Sequence, residues 1–110
     1  MNMNRVSILG TLETDPIEKR LPVQGSVVNF RVKTETSYRR ITSGSGTATE
    51  YHSVCSFDPH IVFSATKLRK GDLVLVEGRL STRSWDKDGV KQFRTEVVAE
   101  RLDTMPKGKE

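Results

Sequence analysis

A single helix signal interrupts a chain that is otherwise patterned for β-strands. Asp58 precedes Pro59, and this order is typical of a helix N-cap followed by the first helical position. Gly71 is a common stop signal, and it follows lysine and arginine residues that suit a helix C-terminus. These residues predict one short helix over about residues 59–69.

Runs of strand-forming residues lie on both sides of this helix, separated by turn residues. A Gly/Ser/Thr-rich segment over residues 41–48 predicts a mobile loop between the second and third strands. Asp88 and Gly89 predict a tight hairpin turn between the last two strands. The predicted strands cover about residues 5–12, 26–38, 50–57, 73–85 and 91–102.

Three strands, a helix and two strands is the element order of the OB-fold, an all-β Greek-key barrel of five strands. In that order the helix lies between strands 3 and 4. Open antiparallel sheets can share the order, so it does not by itself exclude them. The fold class that we predict is therefore a five-stranded OB-fold barrel with one short helix.

The length of 110 residues suits one domain with one hydrophobic core. We expect that domain to cover residues 1–103, followed by a short disordered tail over residues 104–110. The only cysteine, Cys55, cannot form an internal disulfide, and no apolar run approaches the roughly 20 residues of a membrane span. The sequence start has no signal-peptide pattern, so we expect a soluble cytoplasmic protein.

The chain is moderately basic, with 18 Lys and Arg against 14 Asp and Glu and a formal net charge of +4. This excess favours an anionic partner such as nucleic acid, although an excess of this size is only suggestive. The aromatic residues are more informative. Tyr51 and Phe57 share strand parity, Trp85 shares parity with Arg79 and Arg83, and Tyr38 ends the second strand.

Aromatic side chains among arginines on a sheet surface match the needs of single-stranded nucleic acid, whose bases stack and whose phosphates bind cations. The alternative is that the aromatic residues fill the core, which we predict for Phe30 and Phe63. Tyr51 is undecided between the two, and Phe57 has a competing role as a hydrophobic staple against Val62. The residues predicted to stack bases are Tyr38, Tyr51, Phe57 and Trp85.

Basic residues border the predicted loop and the last hairpin, where they can close over a strand laid on the sheet. The alternative is an ordinary solvated surface. The predicted phosphate contacts are Arg31, Lys33, Arg39, Arg40, Arg79, Arg83, Lys87, Lys91 and Arg94.

Metal binding and catalysis find little support. His52, Cys55 and His60 match no common zinc spacing, and His52 and Cys55 point to opposite faces of a strand. No phosphate-binding loop and no nucleophile with an adjacent base has a recognisable setting. We therefore expect no metal, no cofactor and no catalytic residues, and a binding protein instead of an enzyme.

Six segments, in order, resemble the bacterial-type single-stranded DNA-binding proteins and their mitochondrial relatives. The resemblance spans about residues 4–102, and each segment is weak alone whereas the ordered set is specific. The segments read NRVSILGTL (4–12) with DP (15–16), VNF (28–30) with TET (34–36), TEYHSV (49–54), LRKGD (68–72), VEGRLSTRSW (76–85) and TEVV (95–98).

This resemblance implies an OB-fold homotetramer around which DNA wraps, protecting single strands during replication, recombination and repair without reading sequence. The stacking positions of the family fall on the four aromatic residues predicted above. In much of the family the first two, at Tyr38 and Tyr51, are tryptophan. His52 falls where the family has a histidine at the subunit contact.

The chain also departs from that family. Ser53 and Ser81 occupy positions often held by arginine, and residues 58–60 open the helix with an unusual Asp-Pro-His. The sequence ends at Glu110 without the acidic tail that recruits replication proteins in the family, so either this is a truncated or specialised form, or it does not recruit partners in that way. A replication-restart primosome adaptor of the same fold, usually dimeric, is the alternative function. A cold-shock-like RNA-binding protein and a small nucleic-acid enzyme are more distant ones.

Overall fold

The computed structural model describes residues 1–23, 25–40 and 44–105, and for Arg39 and Arg40 the backbone alone. Six strands and one helix follow each other along this part of the chain. Their bounds are β1 Val6–Leu12, β2 Ile17–Leu21, β3 Gly25–Arg40, β4 Gly44–Ser56, α1 Pro59–Ala65, β5 Leu73–Lys87 and β6 Val90–Met105.

The strands form one sheet in the order β1-β5-β6-β4-β3-β2, and a further pairing between β1 and β3 closes it into a barrel. Neighbouring strands are antiparallel except β4 and β6, which run parallel through the pairs Val54–Val97 and Cys55–Val98. The closed sheet with one short helix confirms the predicted OB-fold class. The helix follows the fourth strand of the structure, because β2 is an additional strand.

β2 was not predicted, and its composition explains why. It pairs only with the first part of β3, from Ile17–Asn29 to Leu21–Gly25, and therefore forms an edge of the sheet. Four of its five residues are exposed, so it lacks the alternation of apolar and polar residues that marks a half-buried strand. Charged residues are common on such edges because they discourage pairing with other chains.

The core is built from alternate residues of the long strands, as the period of two requires. Val28, Phe30 and Val32 of β3 point inward and meet Val54 of β4 and Val76 of β5. The helix closes one end of the barrel with its own apolar side chains, Ile61, Val62 and Ala65. The prediction that Phe30 lies in the core is confirmed.

Phe63 was also predicted to lie in the core, and this prediction is wrong. Its side chain is 63% exposed. Ile61, Val62 and Ala65 occupy the helix face toward the barrel, and a residue directly after Val62 is turned by about a quarter of a helical turn or more. The helix therefore presents Phe63 to solvent.

The helix begins as predicted and ends earlier. The Asp58 carboxylate accepts a hydrogen bond from the His60 backbone N–H at 2.8 Å, and Pro59 takes the first helical position. After Ala65 the carboxylates of Asp72 and Asp15 accept from the backbone N–H groups of Arg69 and Lys70, at 2.9 and 2.7 Å. These side-chain acceptors replace helical carbonyls, which ends the helix four residues before the predicted limit.

Both hairpins extend further than the sequence indicated. Residues 44–48 of the predicted loop pair with residues 36–40, from Thr36–Ala48 to Arg40–Gly44, and residues 41–43 of that loop lie outside the described residues. β6 runs to Met105, which pairs with Leu73, so Thr104 and Met105 belong to a strand instead of a tail. Residues 106–110 lie outside the described residues.

The turn between β5 and β6 matches its prediction. Asp88 and Gly89 have φ values of 52° and 78°, and the Lys87–Val90 pair closes the turn. Two consecutive residues of positive φ suit the right-handed twist of a long hairpin.

A β-bulge interrupts the β5–β6 ladder next to Gly78, where Glu100 of β6 is left unpaired. A Cβ atom on Gly78 would lie only 1.9 Å from the Val98 carbonyl oxygen. We expect Gly78→Ala to destabilise the fold by about 3 kcal/mol or more, because the obstacle is backbone that cannot rotate away. Urea unfolding at a fixed protein concentration measures this.

Gly89→Ala is the matched control for that measurement. Gly89 has no atom within 4 Å of a built Cβ but has positive φ, so we expect a loss of about 1 kcal/mol. Equal midpoints for the two variants would contradict the steric role of Gly78.

Candidate nucleic-acid interface

The strand register gathers one outer face from β3, β4, β5 and β6. On β3 and β4, Lys33 pairs with Tyr51 and Arg31 with Ser53. The parallel Cys55–Val98 pair carries the same face onto β6, where Arg94 opposes Arg83 of β5. We call this surface the aromatic face; its members are Arg31, Lys33, Tyr51, Ser53, Cys55, Arg79, Arg83, Trp85, Lys87, Arg94 and Glu96.

A direct hydrogen bond joins the two halves of the aromatic face. Arg94 Nη2 donates to Ser53 Oγ at 2.9 Å, which links β6 to β4 across the surface. A serine at position 53 is therefore an acceptor that holds an arginine of the neighbouring strand. Although position 53 has a serine where the family often has an arginine, this part of the face still carries a cation, because Arg94 of β6 lies beside Ser53.

Two aromatic rings on this face each have an arginine beside them. The Arg31 guanidinium carbon is 5.4 Å from the Tyr51 ring centroid, and that of Arg83 is 5.4 Å from the Trp85 ring centroid. The two aromatic residues are 49% and 41% exposed. Cation–π contacts of this kind restrain the rings while leaving part of each accessible to a stacking partner.

Carboxylates hold some of the cations and leave others unpaired. Arg83 Nε lies 3.1 Å from a Glu96 carboxylate oxygen, and Arg79 Nη1 lies 2.9 Å from Glu100. Within the part of the chain that the structure describes, no ion pair joins Arg31 or Arg94 to a carboxylate. Arg83 is thus mainly placed to orient Trp85, whereas the guanidinium groups of Arg31 and Arg94 form no ion pair among the described residues.

Phe57 follows directly after β4 and lies half-exposed between two depressions. One, of about 320 Å³, is lined by Phe57 together with Cys55, Arg83 and Glu96 of the aromatic face. The other, of about 360 Å³, is lined by Phe57 with Val62 and Phe63 of the helix. Phe57 and Val62 line the same depression, which is compatible with the staple alternative, and the other depression leaves the Phe57 ring accessible from the aromatic face.

The structure does not place Tyr38 with the other aromatic residues. Tyr38 pairs with Gly46 in the two-stranded part of the β3–β4 hairpin, and its even number puts it on the opposite side from Tyr51. A Cβ atom on Gly46 would lie 2.7 Å from the Tyr38 hydroxyl oxygen, so the ring lies across that glycine. The assignment of Tyr38 as a stacking residue stays a prediction, on a separate surface.

The predicted phosphate contacts divide in a similar way. Lys91 pairs with Asp86 on the side of the β5–β6 hairpin opposite Trp85, so it is not part of the aromatic face. Arg39 and Arg40 hold the last positions of β3, and their side chains lie outside the described residues. The others, Arg31, Lys33, Arg79, Arg83, Lys87 and Arg94, lie on the aromatic face.

The sequence reasoning missed Lys19, which also lines the depression beside Phe57. It lies on β2, whose pairing of Lys19 with Val27 directs it to the side of the aromatic face. The sequence pattern predicts turns and no strand around residues 17–21, so it assigns Lys19 to no side of a sheet. The available signal was the spacing of Ile17, Lys19 and Leu21, which share one side if this segment is a strand.

His52 is partly buried on the inner side of β4. Its Nε2 lies 2.9 Å from Thr34 Oγ1 of β3, a hydrogen bond within the subunit. Its role at a subunit contact stays a prediction. No group of three or more His, Cys, Asp or Glu that suits a metal ion occurs among residues 1–23, 25–40 and 44–105. None of the described helices is long and apolar enough to cross a membrane.

The model of the single-strand binding protein family matches residues 3–105. This chain belongs to that family. The match covers all six strands and the helix, and so includes the whole aromatic face.

Solved structures of similar fold agree with the family. One is a Plasmodium falciparum SSB in complex with ssDNA, 28% identical with a TM-score of 0.87, covering 96% of this chain and 97% of that one. A deletion mutant of the single-stranded DNA binding protein from Thermus aquaticus is 28% identical with a TM-score of 0.85, covering 96% of this chain and 52% of that one. This chain therefore spans about half of the Thermus aquaticus protein.

A third similar structure supports the fold alone. The small single-stranded DNA-binding protein from Streptomyces coelicolor is 23% identical with a TM-score of 0.71, and the match covers 96% of each chain.

Cys55 provides a chemical probe at the centre of the aromatic face of this family member. Burial raises the pKa of its thiol, and the negative charge and hydrogen bond of Glu96 raise it further. Because its folded pKa is raised, the thiol contributes stability below the ordinary thiol pKa, and this contribution is lost as the pH rises through the folded pKa.

We expect Glu96→Gln to lower the pKa of Cys55, because it removes the charge that disfavours the thiolate. The pH dependence of the Cys55 Cβ chemical shift, followed by NMR, measures this without requiring access to the buried thiol, with its midpoint at lower pH in the variant. Glu100→Gln, which removes a carboxylate paired to Arg79, is the control and should keep the wild-type midpoint. A Glu96→Gln midpoint equal to that of the wild type would contradict the assigned cause.

Proposed function

We propose that this chain binds single-stranded DNA on its aromatic face, without close reading of sequence, and so keeps DNA unpaired and protected during replication, recombination and repair. The observation that carries the proposal is the pair of exposed rings, Tyr51 and Trp85, each beside an arginine on one continuous surface. Membership of the single-strand binding protein family and the likeness to a Plasmodium falciparum complex with ssDNA support it.

The mechanism follows from which parts of DNA the face can touch. Every base has a π-face, so rings that stack on bases accept any sequence. Arg31 and Arg94, which lack carboxylate partners among the described residues, neutralise phosphates, and Lys33 and Lys87 extend the same surface. Duplex DNA hides its base faces in the stack, so the surface discriminates against it.

This proposed role is binding, with no catalytic residues, metal or cofactor. The primosome adaptor alternative is not favoured, because the similar structures are single-stranded DNA-binding proteins. A chain of this role acts where single strands are exposed, which for a bacterial-type protein is the nucleoid in the cytoplasm.

Self-association belongs to the same proposal. Outer-facing apolar residues of β1, β5 and β6 form a second exposed surface, in which Leu9 pairs with Leu75 and Leu73 with Met105. Leu9 is 62% exposed although it lies at the centre of β1. An apolar sheet surface of this kind is typical of subunit contacts, and we propose it as one contact of a homotetramer.

Titration with poly(dT) is expected to quench the fluorescence of Trp85 strongly and saturably, while duplex DNA leaves it nearly unchanged. Tyr51→Ala should weaken binding of single strands by about 5- to 150-fold, because each stacked base contributes roughly 1–3 kcal/mol. Phe93→Ala is the matched control, since Phe93 is 67% exposed on the opposite side of the β5–β6 hairpin.

Salt dependence separates stacking from charge in that experiment. Lys33→Gln should reduce the slope of log affinity against log salt by about 0.7, the value for one phosphate contact on a single strand. Tyr51→Ala should leave the slope unchanged. Equal quenching by duplex and single strand, or loss of affinity in Phe93→Ala alone, would place the DNA elsewhere.

Leu9→Asp is expected to reduce the oligomeric state, because it puts a charge into an apolar contact that would be buried on assembly. Leu9 is exposed in the single subunit, so the variant should still fold. Sedimentation equilibrium measures the mass, and circular dichroism checks the fold. Val23→Asp, an exposed apolar residue outside that surface, is the control; an unchanged mass for Leu9→Asp would exclude this contact.

A further inference from the structure

An aromatic residue of the helix has no role in the binding surface described so far. Phe63 is exposed on α1, and the Nζ atom of Lys67 lies 4.1 Å from the centroid of its ring. This pairing of a ring with a cation repeats the arrangement of Tyr51 with Arg31 and of Trp85 with Arg83. The core already has its helix residues in Ile61, Val62 and Ala65, so packing does not account for Phe63.

The surface around Phe63 is continuous with the aromatic face. Phe57 and Phe63 line the same depression of about 360 Å³, which is also lined by Pro59, Val62 and Thr66. Phe57 also lines the depression that contains Arg83. Phe57 is therefore the shared wall between the aromatic face and the helix.

We propose that bound single-stranded DNA continues past Phe57 onto α1 and the turn that follows it, where a further base stacks on Phe63 and Lys67 contacts a phosphate. The proposal rests on the proposed function and extends its site. A base takes the side of the ring that Lys67 does not cover, which leaves the ammonium group beside the ring for the backbone.

The charges around this depression set the direction of the strand. Glu18 lines the depression on the β2 side and repels phosphate. Asp58 is engaged in capping the helix through the His60 backbone N–H. The sugar-phosphate backbone therefore runs along the side of Lys67, with the bases turned toward Phe57 and Phe63.

The test compares oligo(dT) of increasing length, because an added subsite contributes only when the strand is long enough to reach it. A single OB-fold covers about 4–16 nucleotides, so the series runs across that range. We expect Phe63→Ala to leave the affinity for the shortest binding oligomers unchanged and to weaken binding of longer ones by about five- to a hundredfold. Phe93→Ala, the exposed-aromatic control, should change neither.

A second variant reports contact directly and does not depend on an affinity difference. In Trp85→Phe with Phe63→Trp, the only indole lies on the helix, and long oligo(dT) should quench its fluorescence. Lys67→Gln should reduce the salt slope for long oligomers by about 0.7 and leave that for short ones unchanged. Helix folding is not at risk, because Phe63 is exposed and alanine favours helix.

The outcomes separate the two proposals. Equal affinities of wild type and Phe63→Ala at every length, with no quenching of the helix indole, would overturn the extended path. If the wild-type protein still binds oligo(dT), the proposed function stands without it. If the wild type binds no single strand at all, the proposed function itself fails.

Discussion

The parallel pairing of β4 with β6 is the contact on which both the barrel and its outer surface depend. It is short, involving Val54–Val97 and Cys55–Val98, yet it joins two long antiparallel hairpins that otherwise share no ladder. On the inner side it brings buried valines together in the core. On the outer side it puts β4, which carries Tyr51, beside β6, which pairs with β5 and so lies next to Trp85. Closure of the barrel therefore creates the aromatic face.

The acidic residue at the centre of that face, Glu96, orients a neighbouring arginine side chain. Glu96 is largely buried, pairs with Arg83 and raises the pKa of Cys55. A carboxylate on this face would repel phosphate, but its ion pair fixes the guanidinium group of Arg83, which lies beside Trp85. Arg83 thus orients the indole ring, and in the proposed function the charge for the DNA backbone comes from residues that have no carboxylate partner among the described residues, such as Arg31.

The sequence predicted the fold class because the alternation that the barrel requires is visible in β1 and β3, β5 begins with an apolar run, and one helix carries a cap. It predicted two aromatic residues of the face through parity, since Tyr51 shares parity with Ser53 and Cys55 on β4, and Trp85 shares parity with Arg83 on β5. It failed where neither side of an element is buried. β2 and the outer part of the β3–β4 hairpin have no apolar period, and Tyr38 lies on a ribbon whose two sides are both exposed.

Phe63 shows a related limit. The helix has only seven residues, and its apolar side is too narrow for the sequence to indicate whether Phe63 faces the core or the solvent. The phosphate contacts were predicted by local clustering, which does not distinguish the two sides of a hairpin. Lys87 and Lys91 are close in sequence on either side of one turn, and pairing geometry alone places them on opposite surfaces.

The bulge at Glu100 divides β6 into two stretches whose inward residues have opposite parity. Ala99 and Val97 point into the barrel on one side of it, and Leu102 packs against the core on the other. Loss of that single residue would bring the stretches into a common phase and exchange the inner and outer sides of one of them. Length changes at the hairpin turns leave this phase intact, so the barrel can accommodate a residue more or less at the turns but not at Glu100.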